Sequence, residues 1–132
     1  MKNNISIWSI TGGAIIGSIY FFIPADSPLI MGVHAFKLMS AGAFLALFLF
    51  ILFFPGHPVK LSLLFTVGAE MTIIISIISD VFKNGTSHNL FPFEVIVTFL
   101  MILLPAFAGG YFAELIKYLK TSLFTSTGRK LD

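Results

Sequence analysis

Glu70 is the residue of this chain best placed to do chemistry, because it stands near the middle of the otherwise uncharged apolar stretch 61–79, one turn after Thr66. A carboxyl surrounded by apolar residues over that length has two roles open to it. Dry, it keeps its proton and serves as a hydrogen-bonding group between helices; reached by water or a cation, it binds or relays a charge. Packing alone does not require an ionisable group, so the carboxyl is a functional candidate by residue type.

A helical projection at about 100° per residue sorts the neighbours of Glu70 into two faces. Ser62, Thr66, Ala69, Glu70, Thr72, Ser76, Ser79 and Asp80 share one half of the segment. Leu64, Val67, Met71, Ile74, Ile75, Ile78 and Phe82 share the other, with no polar residue among them. The second half suits acyl chains and the first suits protein or a water-filled path. Glu70, Thr66, Thr72, Ser76 and Asp80 are therefore the candidate ion, proton or pore-facing residues. For the hydroxyls alone, bonding to their own i−4 carbonyls and close helix packing is the simpler role, worth about 0.6 kcal/mol each across membrane interfaces.

Lys37 is the nearest candidate counter-charge by composition, but its depth is wrong. Counting back from the turn at Pro55-Gly56-His57-Pro58, Lys37 lies about eight residues, or roughly 12 Å, beyond the level of Glu70 and closer to that of Asp80. The expectation is a second, outer polar cluster of His34, Lys37, Asp80 and Glu94, with Lys37 free to snorkel to headgroups. His34 reads as an interfacial residue before it reads as a ligand.

Several function classes find no support. The sequence has no Gly-rich phosphate loop, no HExxH, no nucleophile elbow and no pair of intramembrane histidines at ligand spacing. Its cysteine count is zero, which removes thiol catalysis, disulfides and thiolate metal sites. A formal charge of +2 spread along the chain does not point to nucleic acid. A non-enzymatic protein without metal or cofactor is expected.

Positioning Glu70 falls to elements that only a bilayer can accommodate. With 57% hydrophobic and 11% charged residues in 132, and sixteen Phe, the chain has more apolar surface than a core of that size can bury. Apolar runs long enough to cross a ~30 Å hydrocarbon layer fall at 5–23, 29–54, 59–82 and 93–119. The fold class expected is all-α integral membrane: four transmembrane helices in an antiparallel bundle over residues 1–120, with short loops that make sequential helices neighbours. The 5–23 run exceeds the ~7–15 residue core of a signal peptide and is taken as a span. Residues 121–132 form a short polar tail. Lys2, Lys60, Lys117, Lys120, Arg129 and Lys130 share one side, against Lys37 and Lys83 on the other. That asymmetry places both termini in the cytoplasm, with the protein multi-pass in the inner (plasma) membrane.

Small residues mark where helices approach. Gly13 and Gly17 form a GxxxG in the first span, Gly42 and Ala46 a patch in the second, and Ala106 and Gly110 one in the fourth. Pro105 leaves the carbonyl of Met101 without its N–H partner, and with Gly109 it is a possible hinge or a static kink filled by a neighbour. In format, a small chain with several spans, short loops and a basic tail resembles a phage holin, and the resemblance implies a pore-forming role without assigning residues. The leading expectation is an oligomeric protein that lines or regulates a permeation path. An ion- or proton-coupled transporter or relay subunit using Glu70, and an accessory subunit of a larger membrane complex, are the alternatives. The partners expected are the lipid bilayer and either further copies of the chain or a membrane complex.

Overall fold

The computed structural model describes residues 2–22, 29–83 and 91–128, with side chains described over 4–20, 36–83 and 92–123. Every regular element among them is helical. Helix α1 (Lys2–Gly17) continues as a 3₁₀ turn (Ser18–Phe22), followed by α2 (Leu29–Phe53), α3 (Pro58–Lys83) and α4 (Phe91–Gly128). Three helices are long and apolar enough to cross a membrane, over Phe36–Phe53, Pro58–Lys83 and Pro92–Leu123. The first segment differs from the expectation for 5–23, since its α-helix stops after 16 residues and tightens to 3₁₀ geometry. Helix α4 also runs on to Gly128, so residues 121–128 are helical.

Local chemistry sets the boundaries. Pro55 and Gly56 end α2, whose last bond runs from the Phe54 N–H to the Phe50 carbonyl at 2.9 Å. His57 caps α3: its carbonyl accepts from the Leu61 N–H at 3.1 Å, while Pro58 takes the first helical position, where a missing N–H costs nothing. Lys83 lies in the last turn of α3 and Glu94 in the first turn of α4, each complementing the helix dipole.

Sequential helices are not the main neighbours. The closest packing joins α1 to α3 and α2 to α4, with α3 against α4, while α2 and α3 barely touch despite their short connection. In the first pair Ser9 meets Leu61, Gly13 meets Phe65 and Gly17 meets Ala69, so both numbers rise together and the helices run parallel. In the second, Ser40 meets Met101, Phe44 meets Gly109 and Ile51 meets Lys117, again in parallel. Small residues explain the choice. A Cβ on Gly13 would lie 1.8 Å from the Phe65 carbonyl oxygen, one on Gly68 2.1 Å from that of Ile10, and one on Gly109 2.2 Å from that of Phe44. Backbones that close gain dispersion contacts that bulkier seams forgo.

Core residues recur at spacings of four or seven, as one helix face requires. Met39, Ala43, Leu47 and Ile51 line α2, Leu61, Phe65, Ala69, Ile73 and Ile77 line α3, and Ile102, Ala106 and Ala113 line α4. Rings of Phe44, Phe48 and Phe112 lie 5.8–6.4 Å apart across α2 and α4. The outward faces are apolar, with Val67, Met71, Ile75 and Phe82 on α3 and Leu45, Leu49 and Phe53 on α2 all exposed. On α3 this is the face assigned to acyl chains by the projection.

Two prolines orphan carbonyls, and the same helix pair repairs both. Pro105 deprives the Met101 carbonyl of its i+4 donor, and the Ser40 hydroxyl of α2 donates to it at 2.8 Å. Pro55 does the same to Ile51, whose carbonyl accepts from the Lys117 ammonium of α4. Helix α4 therefore passes Pro105 unbroken, with a neighbouring side chain supplying the missing donor.

Candidate functional site

Glu70 sits where α3 crosses α4 and is 6% exposed. Four residues earlier on α3 is Thr66, and four before that Ser62, both without solvent-accessible surface. Thr66 donates to the Ser62 carbonyl at 2.9 Å and Thr72 to the Gly68 carbonyl at 3.2 Å, the i−4 bonds expected of hydroxyls in a membrane helix. Ser76 is buried, and Thr72 and Asp80 are half-buried. The residues taken from the projection as inward-facing thus turn toward protein to differing degrees.

The partner face comes from α4. Small residues lie opposite the α3 hydroxyls: a Cβ at Gly110 would stand 3.6 Å from Ser62 Oγ, and Ala106 is fully buried. Further along, Thr98 stands against the Glu70 carboxyl and has no accessible surface. Its proton, however, is directed to the Glu94 and Val95 carbonyls of its own helix, at 3.0 and 3.1 Å. Among the described residues neither buried carboxyl oxygen of Glu70 has a hydrogen-bond partner.

That geometry limits the chemistry. An ionised carboxylate in such a seam needs donors or a cation. A protonated carboxyl carries no net charge and tolerates such a seam at far smaller cost. With no accessible surface on Ser62, Thr66 or Thr98, the seam suits a proton, which needs no volume.

Three residues of the expected outer cluster fall among the described side chains. Glu94 is half-buried at the start of α4 and accepts from the Tyr20 hydroxyl of the 3₁₀ turn. Lys37 is exposed on α2, consistent with a snorkelling side chain. Asp80 lies half-buried near the end of α3. The side chain of His34 lies outside the described residues. Tyr20 and Thr98 are absent from the residues picked out by spacing and charge. Thr98 is the single hydroxyl residue between Glu94 and Tyr111, which is a readable signal once α3 and α4 are paired antiparallel.

Gly13, Gly17, Gly42, Ala46, Ala106, Gly109 and Gly110 all find neighbours inside one chain: Gly42 meets Ile16, Gly110 meets Ile51 and Pro58, and Ala46 packs on the core. Among the described residues no group of three or more His, Cys, Asp or Glu is arranged to hold a metal ion. Compared with known proteins, the chain matches no family model, no curated protein and no solved structure. Function must therefore be argued from the seam itself.

Proposed function

We propose that this is a non-enzymatic, four-span inner-membrane protein, both termini cytoplasmic, in which Glu70 holds and exchanges a proton as part of ion- or proton-coupled transport or relay. The observation that carries the reading is the buried Glu70 carboxyl, neither oxygen of which has a hydrogen-bond partner among the described residues. The same packing favours it over a water-filled path along this face, because Ser62, Thr66 and Thr98 present no surface to water. A path between copies would have to use outward faces that are apolar.

The seating of α1 supports a fourth span beside the three long apolar helices. Its 16 α-helical residues rise roughly 24 Å and the five 3₁₀ residues roughly 10 Å more, together enough for the hydrocarbon layer. It lies along α3 from Leu61 to Ala69, which supports placing it beside that span in the bilayer. The orientation rests on the six basic residues of one side against two of the other. Exposed Trp8 and Tyr118 on the first side suit an aromatic interface belt.

The test is proton flux in proteoliposomes under an imposed pH gradient, read by a trapped pH dye. Wild-type protein should collapse the gradient faster than protein-free vesicles, and Glu70→Gln, which keeps shape but cannot exchange a proton, should return to the protein-free rate. Equal rates for wild type and Glu70→Gln would remove Glu70 from the function.

A further inference from the structure

Pro105 stands at nearly the depth of Glu70. Ser62 faces Gly110 across the antiparallel α3–α4 seam, so equal counting along both helices puts Ile102 level with Glu70, and Pro105 roughly 4.5 Å further in. The two sides of that proline are held differently. On the inner side Ala106, Gly109, Gly110 and Ala113 are buried, the Gly109 backbone lies against Phe44, and Lys117 donates to the Ile51 carbonyl. On the outer side, over 92–104, only Thr98 and Ile102 are buried. That half is tied to its neighbours by side-chain bonds: Ser40 donates to the Met101 carbonyl beside the proline, and the Tyr20 hydroxyl donates to the Glu94 carboxylate at the far end. Tyr20 is 7% exposed, and its ring lies 6.3 Å from that of Phe36 on α2.

We propose that the outer half of α4, residues 91–104, is a lid over Glu70 that swings about Pro105, and that the Tyr20–Glu94 bond is the latch that keeps it shut. This rests on the proton-exchange reading of Glu70, since a carboxyl sealed in the seam trades its proton only when water reaches it. A helix bends most readily where a proline has removed a main-chain bond, and Ser40 can follow or release the Met101 carbonyl without disturbing the rest of the ladder. The inner half stays on α2 through its contact at Gly109. The outer half lifts Thr98 and Ile102 from α3 and opens the Glu70 carboxyl to water from the outer end. Only hydrogen bonds and packing change. Tyr20 lies on the 3₁₀ turn after α1, so the latch joins the α1–α3 pair to the α2–α4 pair at the end where the lid is least held.

The sequence contains no cysteine, so a single introduced thiol reports the lid in full-length protein in lipid nanodiscs. Thr98→Cys puts it on the buried face of the lid, and Ser62→Cys, the control, puts it in the same seam on the inner side of Pro105. Labelling by a trimethylammonium methanethiosulfonate, which reacts where water reaches the thiol, is followed as gain in intact mass. Tyr20→Phe keeps the ring against Phe36 and should speed labelling at Thr98→Cys by roughly tenfold or more, the order expected for losing one hydrogen bond to a carboxylate. Pro105→Ala returns the main-chain donor to Met101 and should slow it. Ser62→Cys should label at the same rate in both backgrounds. The lid is overturned if neither Tyr20→Phe nor Pro105→Ala changes the Thr98→Cys rate, or if Ser62→Cys changes in step, because the bundle would then be loosening as a whole. Labelling does not depend on the Glu70 proton. A lid that fails while Glu70→Gln still abolishes proton flux leaves the function standing; a lid that responds while Glu70→Gln keeps the flux removes the function alone.

Discussion

Alanine at Gly13 should separate α1 from α3. Its Cβ would lie 1.8 Å from the Phe65 carbonyl oxygen, a contact with backbone that no rotamer change relieves. The helices must move apart, which also strains the Ser9 bond to the Leu61 carbonyl, 2.7 Å in the intact bundle. A loss of about 3 kcal/mol or more is expected, at the upper end of overpacking costs. Gly12→Ala is the matched control. Its Cβ would meet only the edge of the Phe65 ring, at 3.4 Å, and ring motion can absorb that. Thermal unfolding followed by circular dichroism in lipid nanodiscs should show a large drop for Gly13→Ala and little change for Gly12→Ala. Equal curves would mean that the GxxxG face is not the α1–α3 contact.

Removing both donors that repair the proline-orphaned carbonyls should cost nearly as much by a different mechanism. Ser40→Ala exposes the Met101 carbonyl to hydrocarbon, and Lys117→Met does so for Ile51 near the end of α2. Each unsatisfied acceptor costs about 1–3 kcal/mol. Ser40 and Ile51 are eleven residues apart on α2, roughly 16 Å of rise, so the effects should add to about 2–6 kcal/mol in the double variant. Replacing Pro105 with Ala in the Ser40→Ala background returns the N–H that Met101 lacks and should recover the first part of the loss. Unfolding midpoints of the single, double and rescued variants check this. No rescue by Pro105→Ala would show that Ser40 acts by something other than satisfying that carbonyl.

Much of the helix pattern was legible because it follows from residue type. Apolar runs placed α2, α3 and α4 to within a few residues, apart from the C-terminal extension of α4, and the two-faced projection of α3 separated buried Ser62, Thr66, Glu70 and Ser76 from exposed Val67, Met71 and Phe82. Neighbour choice was not legible. Short loops argued for sequential pairing, whereas Gly13, Gly68 and Gly109 allow parallel, non-sequential helices to come closer, and that contact prevails. The same preference explains why patches that suggested self-association are occupied within the chain. Pro105 announced an orphan carbonyl in the sequence, but only the α2–α4 pairing reveals Ser40 as its donor. In the sequence Lys117 counts only toward the charge asymmetry; nothing in its spacing points to Ile51, although Pro55, four residues after Ile51, marks that carbonyl as free. Tyr20 and Thr98 escaped for a simpler reason, since each matters only through a carboxyl on another helix or another turn.

The proposed function requires Glu70 to be a carboxylic acid kept dry between α3 and α4 and able to trade its proton. Infrared difference spectroscopy of wild type against Glu70→Gln in lipid bilayers tests it most directly. The expected result is a carboxylic C=O band at neutral pH, at the frequency of a weakly hydrogen-bonded acid, that vanishes in the variant and shifts in D₂O. A difference spectrum at neutral pH containing only carboxylate bands would contradict it, because Glu70 would then be ionised and the seam would have to contain water or a cation.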